Sequence, residues 1–363
     1  MMPSEPTRLV KPIVVIADDL SGAAELAAVA RRRGMTVELQ TTFSRDTSAE
    51  VICVATQTRS STPQAAALAV GAVMRDITAV RPRWIFKKCD SVLRGPVLAE
   101  AWAVAAVIGV SKLTLISANP SRDRLLKAGE FWVNGRRLHE TDFANDPENP
   151  RTTSRVVELL TGDLTHVAVP DVTSLSDLKA IATELASDRL PVGGADFFEA
   201  LLDAREPGRV PVEARPAIHA DAGVTVLVCG SRISWPQRRR DAEARGVRAF
   251  SIPYDEPELW DAVSKTKRVL IGIGETATTE NRSPAQLVEI LGEAVARLVK
   301  NSSVDHLLVE GGATAGVLMR RLNWTRFAVD AVKPGGLVVL HPLDGTKTDV
   351  IIKPGSYPWP NEL

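Results

Sequence analysis

Ile13-Val14-Val15-Ile16-Ala17-Asp18-Asp19-Leu20-Ser21-Gly22-Ala23-Ala24 runs an apolar strand directly into two adjacent carboxylates and then into a helix. A run of Ile and Val bounded by turn residues reads as a buried parallel strand. From Gly22 onward the spacing of Ala23, Leu26, Ala27, Val29 and Ala30 is that of a helix with one apolar face. Asp18 and Asp19 then stand at the carboxyl end of a strand, where open α/β sheets bind their ligands. Asp and Ser are also favoured N-caps, so Asp19 or Ser21 has a structural use as well. Only one of two adjacent acids can cap, which leaves the other for the crevice.

Outward from this stretch, strands and helices alternate from Arg8 to about His219, the pattern of a parallel sheet covered on both faces. Strands are expected at Val51–Ala55, Trp84–Lys88 and Leu113–Ser117, and helices through Pro63–Val80 and Pro96–Ile108. A polar hairpin-like segment, Glu130–Leu138, precedes a long loop, Asp142–Pro150, of a kind more often functional than idle. The proline-rich stretch Arg205–Asp221 marks a domain boundary. Alternation restarts with the strand Val224–Cys229 and continues through His306–Val309 and the helix Ala313–Leu322. Leu337–Leu340 and Val350–Lys353 read as paired strands closing a second sheet. The expectation is an α/β protein of two domains, 1–215 and 222–363, each a mainly parallel sheet with helices on both faces and the active site in the cleft between them.

At 363 residues the chain is long enough for two cores. Its 44 basic and 44 acidic residues balance, which argues against nucleic acid and anionic membrane as partners. Cys53, Cys89 and Cys229 are widely spaced in apolar runs and read as buried thiols of a reducing compartment. With no signal-like opening and no apolar stretch of about 20 residues, the chain reads as cytoplasmic. The five histidines show no metal-ligand spacing, so no metal site is expected.

Two further polar clusters follow strands of the first half. Lys88-Cys89-Asp90-Ser91-Val92-Leu93-Arg94-Gly95 places a cation, an acid, a hydroxyl and an arginine at one strand end, and Asn119-Pro120-Ser121-Arg122-Asp123-Arg124 adds two guanidinium groups. Charges after a strand are often only a solvated loop, and Arg122 has Asp123 beside it for a surface ion pair. Yet clusters converging on one crevice are what a site requires, and arginine's fork matches a carboxylate. In the second half, Glu310-Gly311-Gly312-Ala313-Thr314-Ala315 is a strand, a glycine turn and a helix start, the kind of element whose free N–H groups bind anions. Gly230-Ser231 and Lys353-Pro354-Gly355-Ser356 are companions, although paired glycines after a strand also make plain tight turns.

In their order these motifs resemble the four-carbon acid sugar kinase family over nearly the whole chain. Asp18-Asp19-Leu20-Ser21-Gly22-Ala23 stands for its Asp-Asp-Leu-Thr-Gly-Ala, and Lys88 to Gly95 for its Lys-x-Asp-Ser-Thr-Leu-Arg-Gly, with Val92 in place of Thr. Ser117 to Arg124 matches its Pro-Ala-Phe-Pro-x-x-Gly-Arg loop more loosely, with Asp123 where glycine is usual. The resemblance implies phosphorylation of a small sugar acid such as a threonate, erythronate or oxo-tetronate, with ATP and Mg2+, and leaves room for a homodimer. It implies that Asp19 or Asp90 orients the attacking hydroxyl and that Asp18, Lys88, Ser91, Arg94 and Arg124 hold the acid, Arg94 taking the carboxylate. Ser231, Gly311, Gly312, Ala313, Thr314 and Gly355 would surround the nucleotide phosphates. Ala313 stands where the family commonly carries Asp or Glu, which keeps open a sensor of the same fold that binds without turnover. A lyase using Lys88 and Asp90 would leave the glycine turns unexplained.

Overall fold

The opening run forms β1 (Ile13–Ala17), buried at every residue as a strand covered on both faces must be. Asp19 ends it and caps α1 (Leu20–Arg32), its carboxylate accepting the Gly22 N–H. The computed structural model describes residues 11–146, 149–210, 223–252, 256–274, 282–333 and 337–353; the expected boundary at 215–222 and Gly355 lie outside them.

The first half continues with β2 (Val37–Gln40), β3 (Val51–Ala55), α2 (Pro63–Ile77), β4 (Trp84–Lys88), α3 (Val97–Ile108) and β5 (Lys112–Ile116). An antiparallel trio follows, β6 (Arg124–Lys127), β7 (Glu130–Val133) and β8 (Arg136–Arg137), one strand more than the expected hairpin. Then come α4 (Val156–Leu159), β9 (Val167–Ala168), α5 (Leu175–Glu184), β10 (Arg189–Gly193) and α6 (Ala195–Arg205). The second half holds β11 (Thr225–Cys229), α7 (Trp235–Glu243), β12 (Arg248–Ile252), α8 (Glu256–Thr266), β13 (Arg268–Ile273), α9 (Pro284–Asn301), β14 (His306–Glu310) and α10 (Gly312–Leu322). It closes with β15 (Arg326–Lys333), β16 (Leu337–Pro342) and β17 (Asp349–Lys353), the last two paired as expected and running antiparallel.

The parallel sets of the two halves do not stand apart. They join edge to edge in one sheet of order β12-β13-β11-β14-β17-β16-β15-β2-β3-β1-β4-β10-β5-β9. The seam is the antiparallel pair β15–β2, with Phe327 opposite Leu39, both buried. An unpaired strand edge is a standing liability, and each half covers the other's. Arg326 reinforces the seam, donating to Glu38 at 2.7 Å. α1 packs against α6 on one side and α10 and β15 on the other, so the helix that begins at Asp19 touches both halves. Cys53, Cys89 and Cys229 are free and buried, as their apolar settings required.

β1 lies between β3 and β4, all parallel, with Ala17 level with Ala55 and Lys88. The polar segments after these three strands therefore emerge at one sheet edge. On β4 the pleat sends successive side chains to opposite faces. Lys87 is fully buried against Glu100 of α3 at 2.7 Å, while Lys88 turns to Glu25 of α1 at 3.5 Å.

Candidate active site

A cleft of about 640 Å³ opens at that edge, lined by Asp18, Asp19, Lys88, Asp90, Ser91, Arg94 and Arg124 from the first half and by Ser231, Gly311, Gly312, Ala313 and Thr314 from the second. Every sequence-predicted site residue within the described residues lines it.

The acids are held by cations at close range. Asp19 spends one oxygen on the α1 cap, and its other oxygen accepts from Ser21 Oγ and from Arg59, both at 2.7 Å. Asp18 accepts from Arg59 Nε at 2.6 Å, and its second oxygen, Oδ1, is buried with no protein hydrogen-bond partner. Asp90 accepts the fork of Arg94 at 2.9 and 2.8 Å and the backbone N–H groups of Val92 and Arg94 at 3.1 Å. Asp90 is thus braced by Arg94. Burial pushes the Asp90 carboxyl up, but Arg94 and Arg59 outweigh it and hold the group well below the usual carboxylate range. Asp18 is also lowered: its burial is overcome by Arg59, Lys87 and Lys88. Burial pulls Lys88 down, yet Glu25 and Asp18 leave it raised, a firmly charged ammonium inside the cleft.

The arginines divide by partner. Arg94 is engaged by Asp90 and, through its third nitrogen, by Asp146 at 3.0 Å, which gives the Asp142–Pro150 loop its place at the site. Arg122 pairs with Glu25 at 2.7 Å rather than with Asp123, because Asp123 takes a left-handed turn (φ 49°) that closes the preceding 3-10 turn. Arg124 donates to the Ser91 hydroxyl and lies 5.7 Å over the Phe143 ring; both contacts are neutral.

Across the cleft, Gly311 adopts φ 91°, a conformation that L side chains rarely enter, so the turn into α10 needs glycine there. Gly312 is required for another reason: a Cβ would collide with the Asp19 carboxylate and the Ser21 hydroxyl. A side chain on Gly230 would likewise meet Thr314. The N-terminus of α10 is thereby brought against the Asp19 carboxylate, and Ala313 is exposed beside it. Behind the turn, buried Glu310 accepts from Arg238 at 2.8 Å and pairs with Lys353 at 3.3 Å. Among the described residues no group of three or more His, Cys, Asp or Glu side chains could hold a metal ion.

The cleft is also lined by residues not singled out from the sequence, among them Glu25, Gln57, Arg59, Ser60 and Val288. Thr56-Gln57-Thr58-Arg59 follows β3 just as the other clusters follow β1 and β4, and that position was the available signal. It carries a single charge and no glycine, so it did not stand out.

The arrangement defines an α/β protein with a strongly charged cleft facing a glycine turn, and residues 13–196 match the model of the sugar-binding N-terminal domain. The chain belongs to the four-carbon acid sugar kinase family. A D-threonate kinase of Salmonella typhimurium is 31% identical over 41% of this chain and 36% of its own length. A D-threonate kinase of Bordetella bronchiseptica is 26% identical over 89% of this chain and 88% of its own length. A 3-oxo-tetronate kinase of Pseudomonas fluorescens is 23% identical over 94% and 93%. Among solved structures, a Salmonella typhimurium protein described as a tRNA synthase shares the fold, with a TM-score of 0.73 at 18% identity over 96% of both chains. Among the described residues no helix is long and apolar enough to cross a membrane.

Proposed function

We propose that this chain is an ATP-dependent kinase that phosphorylates a hydroxyl of a four-carbon sugar acid. The observation that carries the reading is the contact between Gly312 and Asp19, which puts a phosphate-type helix N-terminus against a carboxylate at the mouth of a cleft lined by charges of both signs, Lys88, Arg94 and Arg124 among them. Phosphoryl transfer needs positioning and charge neutralisation more than covalent help, and both halves of the cleft supply them. The backbone N–H groups from Gly312 to Thr314 would face the transferred phosphate, and magnesium would come with ATP as part of that substrate.

Asp19 suits orientation of the attacking hydroxyl better than Asp90 does. Asp90 is occupied by four hydrogen bonds from Val92 and Arg94, whereas Asp19 lies against the glycine turn. The substrate carboxylate is assigned to Arg124 rather than Arg94, because Asp90 and Asp146 already neutralise the Arg94 fork while the Arg124 contacts are a hydroxyl and a ring. Asp18 Oδ1, buried without a partner, is an acceptor suited to a second hydroxyl of the acid. The test is ATP consumption across D- and L-threonate, D- and L-erythronate and 3-oxo-tetronates. Saturable turnover of at least one supports the reading; binding of both ligands without turnover would favour the sensor.

A further inference from the structure

Three carboxylates converge behind the proposed reaction centre, and one side chain from a fourth segment ties them together. Arg59 donates through Nε to Asp18 at 2.6 Å and through one terminal nitrogen to Asp19 at 2.7 Å, and its other terminal nitrogen lies 3.6 Å from Asp90. Lys88 acts on the same three acids from further off, but among the described residues only Arg59 has an ion pair within 4 Å to each of them. Its backbone is fixed too: the Arg59 N–H and the Thr58 N–H both donate to the Asp18 carbonyl, and a Cβ on Gly95 would strike the Arg59 carbonyl. Gln57, two residues earlier, sits in the left-handed region (φ 56°) with its side chain against Gly316 of α10. The segment therefore touches the acids of the first half and the phosphate-facing helix of the second.

We infer that Arg59 is a positioning residue for catalysis, which clamps Asp18, Asp19 and Asp90 together and so aims Asp19 at the attacking hydroxyl. The inference rests on the kinase reading. Without Arg59, three buried acids would repel one another. The remaining charged groups facing them are Lys88 and Lys87 of β4, Arg94 after it, and Arg151 beside Asp90, while α10 contributes no charge at its first turn. Lys87 is committed to Glu100, Lys88 to Glu25 and Arg94 to Asp90 and Asp146, so none can take over the three-way bridge. Burial would then favour protonation of an acid, and an opposite charge lost at this range moves a carboxyl by about one to three pH units.

The experiment compares pH profiles of kcat and kcat/KM for the wild type, Arg59→Gln and Arg59→Lys with the best acid substrate and ATP. The Gln variant should lose at least tenfold in kcat at neutral pH, and its acid limb should lie above that of the wild type by about one unit or more. Lysine keeps the charge but not the fork, so that variant should retain the wild-type limb with a reduced kcat and an unchanged KM for ATP. A Gln variant with the wild-type limb and kcat overturns the inference. Should the Gln variant fail to fold, carboxyl NMR titration of the wild type decides: Asp18 and Asp90 should titrate below the ordinary carboxylate range, and either titrating within or above that range overturns the clamp. A wild type that turns over no sugar acid would instead overturn the kinase reading, leaving the titration as the measure of the clamp.

Discussion

Asp19 does two jobs with two oxygens, and the jobs can be separated. Asn is as good an N-cap as Asp, so Asp19→Asn should leave α1 and the melting temperature nearly unchanged while lowering kcat by at least about a hundredfold, the usual loss when an acid–base group is removed. Arg124→Met should raise KM for the acid roughly tenfold or more with KM for ATP unaltered, since a hydrogen bond to a charged group contributes about 1.5–3 kcal/mol. The lowered Asp18 and Asp90 give a signed pH dependence. Their contribution to stability is fully present above the ordinary carboxylate range and is lost as pH falls through their depressed folded values, so the stability measured in urea should drop as pH is lowered below that range. At this scale the sequence was informative where charges were doubled or adjoined glycine, as at Asp18-Asp19 and Gly311-Gly312. It was silent on Arg59, whose importance depends on three acids that only the sheet brings near it.

The elements explain why the site edge is built as it is. α10 would be a better helix with alanine at its first position, by about 1 kcal/mol on propensity alone. Gly312→Ala should nevertheless depress turnover, because the added Cβ meets the Asp19 carboxylate; kinetics and thermal melts on the same sample separate the two effects. β4 and α3 are joined by the buried Lys87–Glu100 pair, neither member of which lines the cleft. Lys87→Ala leaves Glu100 buried without its cation and should cost about 3–5 kcal/mol in urea denaturation. Strands with unbroken apolar runs, β1 and β3, were legible from the sequence with their limits. β10 and β15 were not, since Arg189–Gly193 contains proline and β15 carries charges at both ends, and the positions of both are set by the strands that flank them.

For the whole molecule, the sequence signalled two alternating halves but not their junction. The β15–β2 pairing involves residues nearly 300 positions apart, and nothing local in Val37–Gln40 announces an antiparallel neighbour. With one sheet running through both halves and α1 packed on each, they should unfold together: Trp84 and Trp102 in one half and Trp235 and Trp324 in the other should report a single urea transition, and two separated transitions would contradict the continuous sheet. In the proposed kinase, acid and nucleotide meet at Asp19 in the cleft across that junction. The most direct measurement is ATP-dependent phosphorylation of four-carbon sugar acids by the wild type and Asp19→Asn, with binding of both ligands followed by calorimetry. The account predicts a phosphorylated acid from the wild type, and from the variant intact binding of acid and ATP with turnover reduced at least about a hundredfold. A variant that turns over at the wild-type rate would contradict it.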